Sequence, residues 1–206
     1  MPTDMLLALI SYAFVMSITP GPNNVLLLAS GVNYGFRRTI PHMFGISCGV
    51  IVMLLIVGLG VGQLLTANAT VYLALRVVSV VYLLWLAWKI ANSGPVAAPG
   101  ESNASQPMTF FQGAMFQWIN PKAWAMALTA TTAFTVPSNY QHSLVTMALV
   151  FGLVNLPSVG TWAGFGVVLR GFLQNAKVLR VFNVSMALAL IVSLVPALAE
   201  IVQALR

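Results

Sequence analysis

Long uncharged apolar stretches, separated by short polar segments, dominate the pattern of hydrophobic and polar positions along this chain. The long stretches without Asp, Glu, Lys or Arg include residues 5–36, 39–75, 123–169 and 181–199. The apolar runs are continuous, without the alternation of half-buried strands, and a helix needs about 20 such residues to cross a bilayer. The pattern therefore predicts six membrane-spanning helices: Met5–Ser30, Pro41–Leu65, Thr70–Ile90, Phe110–Phe134, Tyr140–Leu169 and Arg180–Ile201.

Composition supports a membrane location. Of the 206 residues, 59% are hydrophobic and 6% are charged, whereas soluble domains average about 25% charged residues. The positive charges are scattered at predicted helix ends, which favours topology signals over a nucleic-acid surface. Asp4 and the lack of Lys or Arg before the first apolar run favour a retained span over a cleaved signal peptide. The single cysteine, Cys48, excludes an intrachain disulfide and a Cys-based metal cluster. We predict an all-α integral membrane protein without metal or cofactor.

The distribution of Lys and Arg predicts the orientation of the spans. The loops after spans two and four contain no basic residue, whereas the loops after spans one, three and five contain Arg37, Arg38, Lys89, Arg170, Lys177 and Arg180. Because positive loops stay cytoplasmic, we expect both termini to face outward. Arg206 is the one contrary charge.

A polar segment rich in Pro, Gly, Ser and Asn, residues 92–107, is predicted to be a flexible cytoplasmic linker. It divides the chain into residues 1–91 and 108–206, with three spans each, so the second half inserts upside down. Weak matches support a repeat: Pro20 with Pro121, His42 with His142, and Asn68 with Asn175. Two inverted three-helix repeats with broken helices are typical of secondary transporters, whose sites lie where the repeats meet.

The stretch "SITPGPNN" interrupts the first predicted span. Its two prolines lack an N–H and clash with carbonyls four residues earlier, and the glycine lowers helix propensity further. Freed backbone groups inside a bilayer need partners in the protein or in a water-filled cavity. The stretch is therefore predicted to break the helix and to bind substrate through Thr19, Pro20, Gly21, Pro22, Asn23 and Asn24.

A second break is predicted in span four, at "WINPKAW". Asn120 suits the N-cap and Pro121 the first position of a helix that starts inside the membrane. Lys122 adds a positive charge near the midplane, where ionisable residues usually serve function. Two half-helix N-termini and an ammonium group suit a carboxylate. The alternatives are proline kinks that only shape the bundle and a Lys122 that snorkels to an interface.

Other polar residues in the spans have open alternatives. Asn155 either faces the cavity or hydrogen bonds across helices. His42 is expected at the membrane interface, with proton handling as the alternative. Arg76 either snorkels outward or contacts an outer gate. Two ridges of small residues, Gly45–Gly49 and Gly160–Gly164, are predicted to allow close helix approach.

Acidic residues are confined to predicted span ends and the linker: Asp4, Glu101 and Glu200. Lys122 is thus either neutral in the empty site or paired with the carboxylate of its substrate. The same shortage argues against a cationic substrate and against an Asp or Glu proton relay, although proton antiport is the default coupling.

The motifs "TPGPNN", "LRVVSVVYLLWLAWKI" and "NPKAW" resemble the LysE/RhtB superfamily of bacterial amino acid exporters. The resemblance covers essentially the whole chain, and the "WLAWKIA" run is most similar to the cysteine/O-acetylserine exporter branch. It implies a multi-pass protein of the bacterial inner membrane, with both termini periplasmic. Many members carry an acid where Asn23 and Asn155 stand here, and this departure favours a neutral zwitterionic substrate.

We therefore predict a secondary transporter, not an enzyme, that exports small neutral amino acids or their derivatives from the cytoplasm by alternating access. The substrate carboxylate is expected at Asn23, Asn120–Pro121 and Lys122, and its ammonium at the freed carbonyls of Met16 and Ile18. The alternatives are an exporter of another amino acid class, a cation or metal exporter, a membrane enzyme acting on lipid, and a non-transporting subunit. The expected partners are the substrate and the lipid bilayer, with a homo-oligomer left open and no nucleic acid.

Overall fold

A computed structural model describes residues 1–92 and 106–204, and this part of the chain contains helices and connecting turns without strands. A π-helical segment, Val57–Val61, follows the third α-helix, and a 3-10 turn, Gln117–Ile119, follows the sixth. The α-helices are α1 (Thr3–Ile18), α2 (Pro22–Tyr34), α3 (Phe36–Ile56), α4 (Gly62–Ala67), α5 (Ala69–Ala91), α6 (Phe110–Phe116), α7 (Pro121–Ala133), α8 (Tyr140–Arg170), α9 (Ala176–Val192) and α10 (Val195–Ala204).

Four helical segments are long and apolar enough to cross a membrane: Phe36–Leu64, Ala69–Ala91, Pro137–Arg170 and Lys177–Ala204. Helices α1 and α2 form a fifth candidate that is bent by 56° at its break. The predicted span Phe110–Phe134 consists of α6 and α7, with 7 and 13 residues, and each is too short to cross a bilayer alone. The all-helical membrane architecture is confirmed for the described residues, whereas the six-span inverted repeat stays a prediction.

The helix starts revise the predicted repeat matches. Pro22, not Pro20, occupies the first turn of α2 as Pro121 does in α7, where proline is favoured because its missing N–H has no helical partner. Asn68 and Asn175 both act as N-caps, through hydrogen bonds from the Val71 N–H (3.1 Å) and the Lys177 N–H (2.9 Å). The two asparagines therefore have the same capping role, whereas the repeat itself stays a prediction.

The main core lies where α8 packs against α1, α2 and α3. Its fully buried side chains include Leu9, Ile46, Met53, Leu54, Met147 and Phe151. A second cluster, with Leu83 and Leu190, joins α5 to α9. Large apolar side chains on the outside, such as Leu153 and Phe165, suit contact with lipid rather than water.

Glycines let the helix backbones approach closely at two contacts. A Cβ atom on Gly31 would lie 2.1 Å from the Ala163 carbonyl oxygen, and one on Gly45 would lie 2.1 Å from that of Phe110. The ridge at Gly45–Gly49 is thus confirmed. The predicted ridge at Gly160–Gly164 is wrong, because Gly164 faces open space and α8 approaches α2 through the neighbouring face.

Most of the predicted linker, residues 93–105, lies outside the described residues. The division of the chain into residues 1–91 and 108–206 therefore stays a prediction.

Candidate functional site

The two breaks meet through the side chain of Lys122. Its Nζ donates hydrogen bonds to the carbonyl oxygen of Thr19 (2.8 Å), to Thr19 Oγ1 (2.8 Å) and to the carbonyl oxygen of Pro20 (3.3 Å). The ammonium group on α7 thus lies at the C-terminal end of α1, where helix carbonyls favour a cation. The alternative in which Lys122 snorkels to an interface is wrong, because the side chain turns towards the first break.

Other side chains satisfy the remaining carbonyls of the first break. Asn24 Nδ2 donates to the carbonyl oxygens of Ser17 (2.9 Å) and Thr19 (2.7 Å). Trp162 Nε1, from α8, donates to the carbonyl oxygen of Ile18 (3.0 Å). Such partners are required for irregular backbone inside a bilayer. Trp162 thus satisfies the Ile18 carbonyl in this structure, and the expectation that the carbonyls of Met16 and Ile18 bind the substrate ammonium stays a prediction.

The two half-helices begin differently. Helix α7 is capped by Asn120, whose Oδ1 accepts a hydrogen bond from the backbone N–H of Lys122 (3.1 Å), and Pro121 follows at the first position. These two predictions from the sequence are confirmed. Helix α2 begins at Pro22 after Gly21, and no side chain caps it. The positive end of α2 is therefore the one left open to a ligand.

The side chains of Asn23 and Gln117 form a second hydrogen-bonded link between the two breaks. The two amides pair reciprocally, with Asn23 Nδ2 donating to Gln117 Oε1 (2.9 Å) and Gln117 Nε2 donating to Asn23 Oδ1 (3.2 Å). Gln117 is fully buried, and the sequence reasoning missed it. An amide in an otherwise apolar run was the available signal, because a buried amide requires a partner.

Asn155 connects three helices beside this pair. Its Nδ2 donates to Ser17 Oγ (3.0 Å), and its Oδ1 accepts from Ser47 Oγ (3.0 Å), so α1, α3 and α8 are linked. Asn155 also lines the cavity described next, which means that both alternatives for this residue hold together. Neither serine was predicted, because single serines in apolar helices carry no distinctive pattern.

A cavity of about 30 Å³ lies between the breaks and has space for about one or two water molecules. Its polar lining is Ser17, Asn23, Asn24, Asn120, Lys122 and Asn155, with the backbone of Gly21 and Pro22. Its apolar lining is Met16, Val50, Ala123, Met126 and Val159. These lining residues include one cation and no Asp or Glu.

His42 and Arg76 lie outside this cavity. His42 is 1% exposed, and its two ring nitrogens have no hydrogen-bond partner. The prediction of an interfacial histidine is wrong, because α6 packs over the ring at Gly113. Arg76 pairs with Glu200 of α10 and stacks on Tyr72, 4.4 Å from the ring centroid. A carboxylate thus neutralises Arg76 within the protein, and its suggested role as a gate stays a prediction.

Comparisons with known proteins show which family this chain resembles. The model of the family described as LysE type translocator matches residues 14–195. The cysteine/O-acetylserine efflux protein of Salmonella typhimurium is 32% identical over 192 residues, which cover 92% of this chain and 95% of the relative. The protein of the same name from Escherichia coli O139:H28 is 33% identical over 193 residues, covering 93% and 96%. That of Klebsiella pneumoniae is 29% identical over 164 residues, covering 79% and 82%.

No solved structure matches this chain. Among the described residues, no three His, Cys, Asp or Glu side chains are grouped so that they could hold a metal ion. The family match spans most of the chain, contains both breaks, and confirms the resemblance drawn from "TPGPNN" and "NPKAW". The chain belongs to the LysE type translocator family.

Proposed function

We propose that this protein is a secondary transporter that exports small neutral amino acids, or derivatives such as O-acetylserine, from the bacterial cytoplasm. Family membership supports transport, and the names of the relatives support cysteine and O-acetylserine as the substrate class. The observation that carries the proposal is the Lys122 ammonium in a cavity whose lining contains no Asp or Glu.

The carboxylate of the substrate binds between Lys122 and the start of α2. The N-terminus of α2 has no side-chain cap, so its first N–H groups and positive end face the cavity. Lys122 Nζ lies at the same point, held by carbonyl and hydroxyl oxygens of Thr19 and Pro20. A carboxylate exchanges these neutral acceptors for a charged one, which makes a stronger hydrogen bond.

The rest of a neutral amino acid finds uncharged partners. The amide groups of Asn23 and Asn155 line the cavity and offer oxygens to an ammonium group. Met16, Met126 and Val159 provide an apolar surface for a small side chain. A cationic side chain would be buried here without a carboxylate, and this cost gives selectivity for neutral substrates.

Transport requires the site to open, because about 30 Å³ is space for only one or two waters. We infer alternating access between two inverted halves, residues 1–91 and 108–206, which meet at the breaks. We infer from the positive-inside rule that the linker lies in the cytoplasm and that both termini lie in the periplasm.

The proposal is tested by efflux from proteoliposomes loaded with labelled O-acetylserine or cysteine. Lys122→Gln removes the charge at nearly the same length, and Lys177→Gln, at an exposed position in the first turn of helix α9, is the matched control. We expect Lys177→Gln to export like the wild type and Lys122→Gln to export about 10- to 100-fold more slowly, because hydrogen bonds to charged groups contribute about 1.5–3 kcal/mol. Unchanged efflux by Lys122→Gln, in protein that elutes as a single species, would reject the proposal.

A change in the substrate provides the complementary test. O-acetylserine methyl ester keeps the ammonium and the side chain but lacks the carboxylate. It should not compete with O-acetylserine for export by the wild type. Competition by the ester equal to that by the free acid would show that the carboxylate is not what Lys122 recognises.

A further inference from the structure

A second and larger cavity lies at the far end of α7 from Lys122. It measures about 530 Å³ and separates the segment 57–63 from one face of α7. That face presents the hydroxyl groups of Thr129 and Thr132, Thr135 follows just after the helix, and Tyr140 also lines the cavity. The volume is large enough for a small amino acid, since ligand pockets usually measure about 300–1,000 Å³.

The threonine hydroxyl groups of this wall can accept hydrogen bonds from a ligand. Thr132 Oγ1 donates to the carbonyl oxygens of Leu128 and Thr129 (both 3.0 Å), and Thr135 Oγ1 donates to that of Thr131 (2.6 Å). Because each hydroxyl proton is donated to a backbone carbonyl, the lone pairs of the hydroxyl oxygens remain available to accept a hydrogen bond. They suit water and the ammonium group of an amino acid.

The cavity opens at the end of the bundle opposite the basic loops. Helices α3 and α8 are antiparallel: Gly35, before α3, lies beside Arg170 at the end of α8, where a Cβ atom would be 3.7 Å from the guanidinium. At the other ends of the same helices, Tyr140 donates its hydroxyl proton to the carbonyl oxygen of Gly58 (2.6 Å). Since basic loops stay cytoplasmic, this second end faces outward.

An apolar layer separates the two cavities. Val50 and Met126 line the Lys122 cavity, whereas Val57 and Leu128 line the second cavity. The step from Val50 to Val57 is about 10 Å of helix. Met53 is 1% exposed in that interval, and Met126 belongs to the same buried cluster.

The wall opposite α7 departs from regular α-helical geometry. Val57–Val61 is π-helical, and Gly60 within it has φ 116°, a conformation that favours glycine. A Cβ atom on Gly60 would meet no other atom within 4 Å. Single π turns inside α-helices are frequent at functional sites.

We propose that this second cavity is the release vestibule, through which the exported amino acid passes from the Lys122 site to the periplasm. The Met53–Met126 layer is its closed inner gate, and the π segment is its movable wall. This inference rests on the proposed function, because it assigns the outer half of the same route.

Cysteine labelling in sealed right-side-out membrane vesicles tests the vestibule without any transport measurement. In a Cys48→Ser background, Thr132→Cys and Gln63→Cys place thiols on the two opposite walls. Ser138→Cys marks the outer turn, and Lys177→Cys marks the exposed start of α9 at the end with the basic loops. Val145→Cys, on the exposed side of α8, is the control that we expect to face lipid. The probe is a membrane-impermeant, positively charged methanethiosulfonate.

We expect Thr132→Cys and Gln63→Cys to react within about tenfold of the rate of Ser138→Cys, because all three thiols ionise in water. Val145→Cys should stay unlabelled, and Lys177→Cys should react only after the vesicles are opened. Unlabelled thiols on both walls beside a labelled Ser138→Cys would overturn the vestibule. Labelling of Lys177→Cys in place of Ser138→Cys would overturn its outward orientation.

Transport then separates the vestibule from the proposed function. Modification of Thr132→Cys should stop O-acetylserine efflux in proteoliposomes, and full efflux after complete modification would overturn the inference. If the cysteine variants label as expected but the protein exports neither cysteine nor O-acetylserine, the outer cavity is supported and the proposed substrate class is rejected.

Discussion

The backbone carbonyls of the first break need donors from other helices, whereas the backbone of the second break is satisfied within its own segment. At the end of α1, carbonyl oxygens accept hydrogen bonds from Asn24 of α2, Lys122 of α7 and Trp162 of α8. At the start of α7, Asn120 caps its own helix, and its backbone N–H bonds to the carbonyl oxygen of Gln117 (3.2 Å) in the 3-10 turn. The amide pair of Asn23 and Gln117 joins the two breaks, but only the first break needs other helices to satisfy its backbone.

This difference predicts that the second break stays rigid during transport and that the first break changes its hydrogen bonds. A locally closed turn keeps its geometry when neighbouring helices move, so the second break presents Lys122 as a fixed point. The first break exchanges its partners more readily, because each hydrogen bond comes from a helix that can move relative to α1. A ligand that competes for Lys122 therefore changes the first break before the second.

The largest effect on stability is expected from Asn24→Ala. The change leaves the carbonyl oxygens of Ser17 and Thr19 without their amide donor, at a cost of about 2 kcal/mol. Asn33→Ala on the same helix is the control, since Asn33 bonds only within its own turn, to the Ala29 carbonyl (2.8 Å). Thermal unfolding in detergent should separate the two variants, and equal midpoints would remove the dependence of the first break on Asn24.

A matched pair of tryptophans sharpens the comparison. Trp162→Phe frees the Ile18 carbonyl across helices, and Trp124→Phe frees the Trp118 carbonyl (2.9 Å) within the second break. Each change removes one hydrogen bond, with a loss of about 1 kcal/mol. We expect similar losses of stability but a decrease of export in Trp162→Phe alone. Equal export by the two variants would show that the breaks do not differ in function.

Removing the N-cap of the second break should lower the stability by a smaller amount. Asn120→Ala removes a helix N-cap, which typically costs about 0.5–1 kcal/mol. Because the cap is local, Asn120→Ala and Trp162→Phe should add in the double variant, as independent sites do within about 0.5 kcal/mol. A coupling energy well above that value, measured from unfolding midpoints, would mean that the second break is not self-contained.

Local chemistry is also what the sequence predicted well. Proline and asparagine at helix starts act within a few residues, so the break at Pro20–Pro22 and the cap at Asn120 follow from the residues alone. The partners of Asn23 and Ile18 depend on which helix faces them, and no periodicity in an evenly apolar chain gives that information. His42 shows the same limit, because its burial results from the close approach of α6 at Gly113.

Gly21→Ala has the smallest expected effect, because the added methyl group displaces the Lys122 ammonium without removing any hydrogen-bonding group. A Cβ atom on Gly21 would lie 2.8 Å from Lys122 Cδ and 3.3 Å from Nζ, so the flexible lysine must shift. Gly21 has an extended φ of −176°, which alanine adopts freely, and Gly→Ala there changes stability by less than about 1 kcal/mol. We expect Gly21→Ala to raise the KM for O-acetylserine severalfold while the unfolding midpoint stays near that of the wild type. Gly164→Ala, which adds a methyl group in open space, is the control, and an unchanged KM in Gly21→Ala would place the carboxylate away from the start of α2.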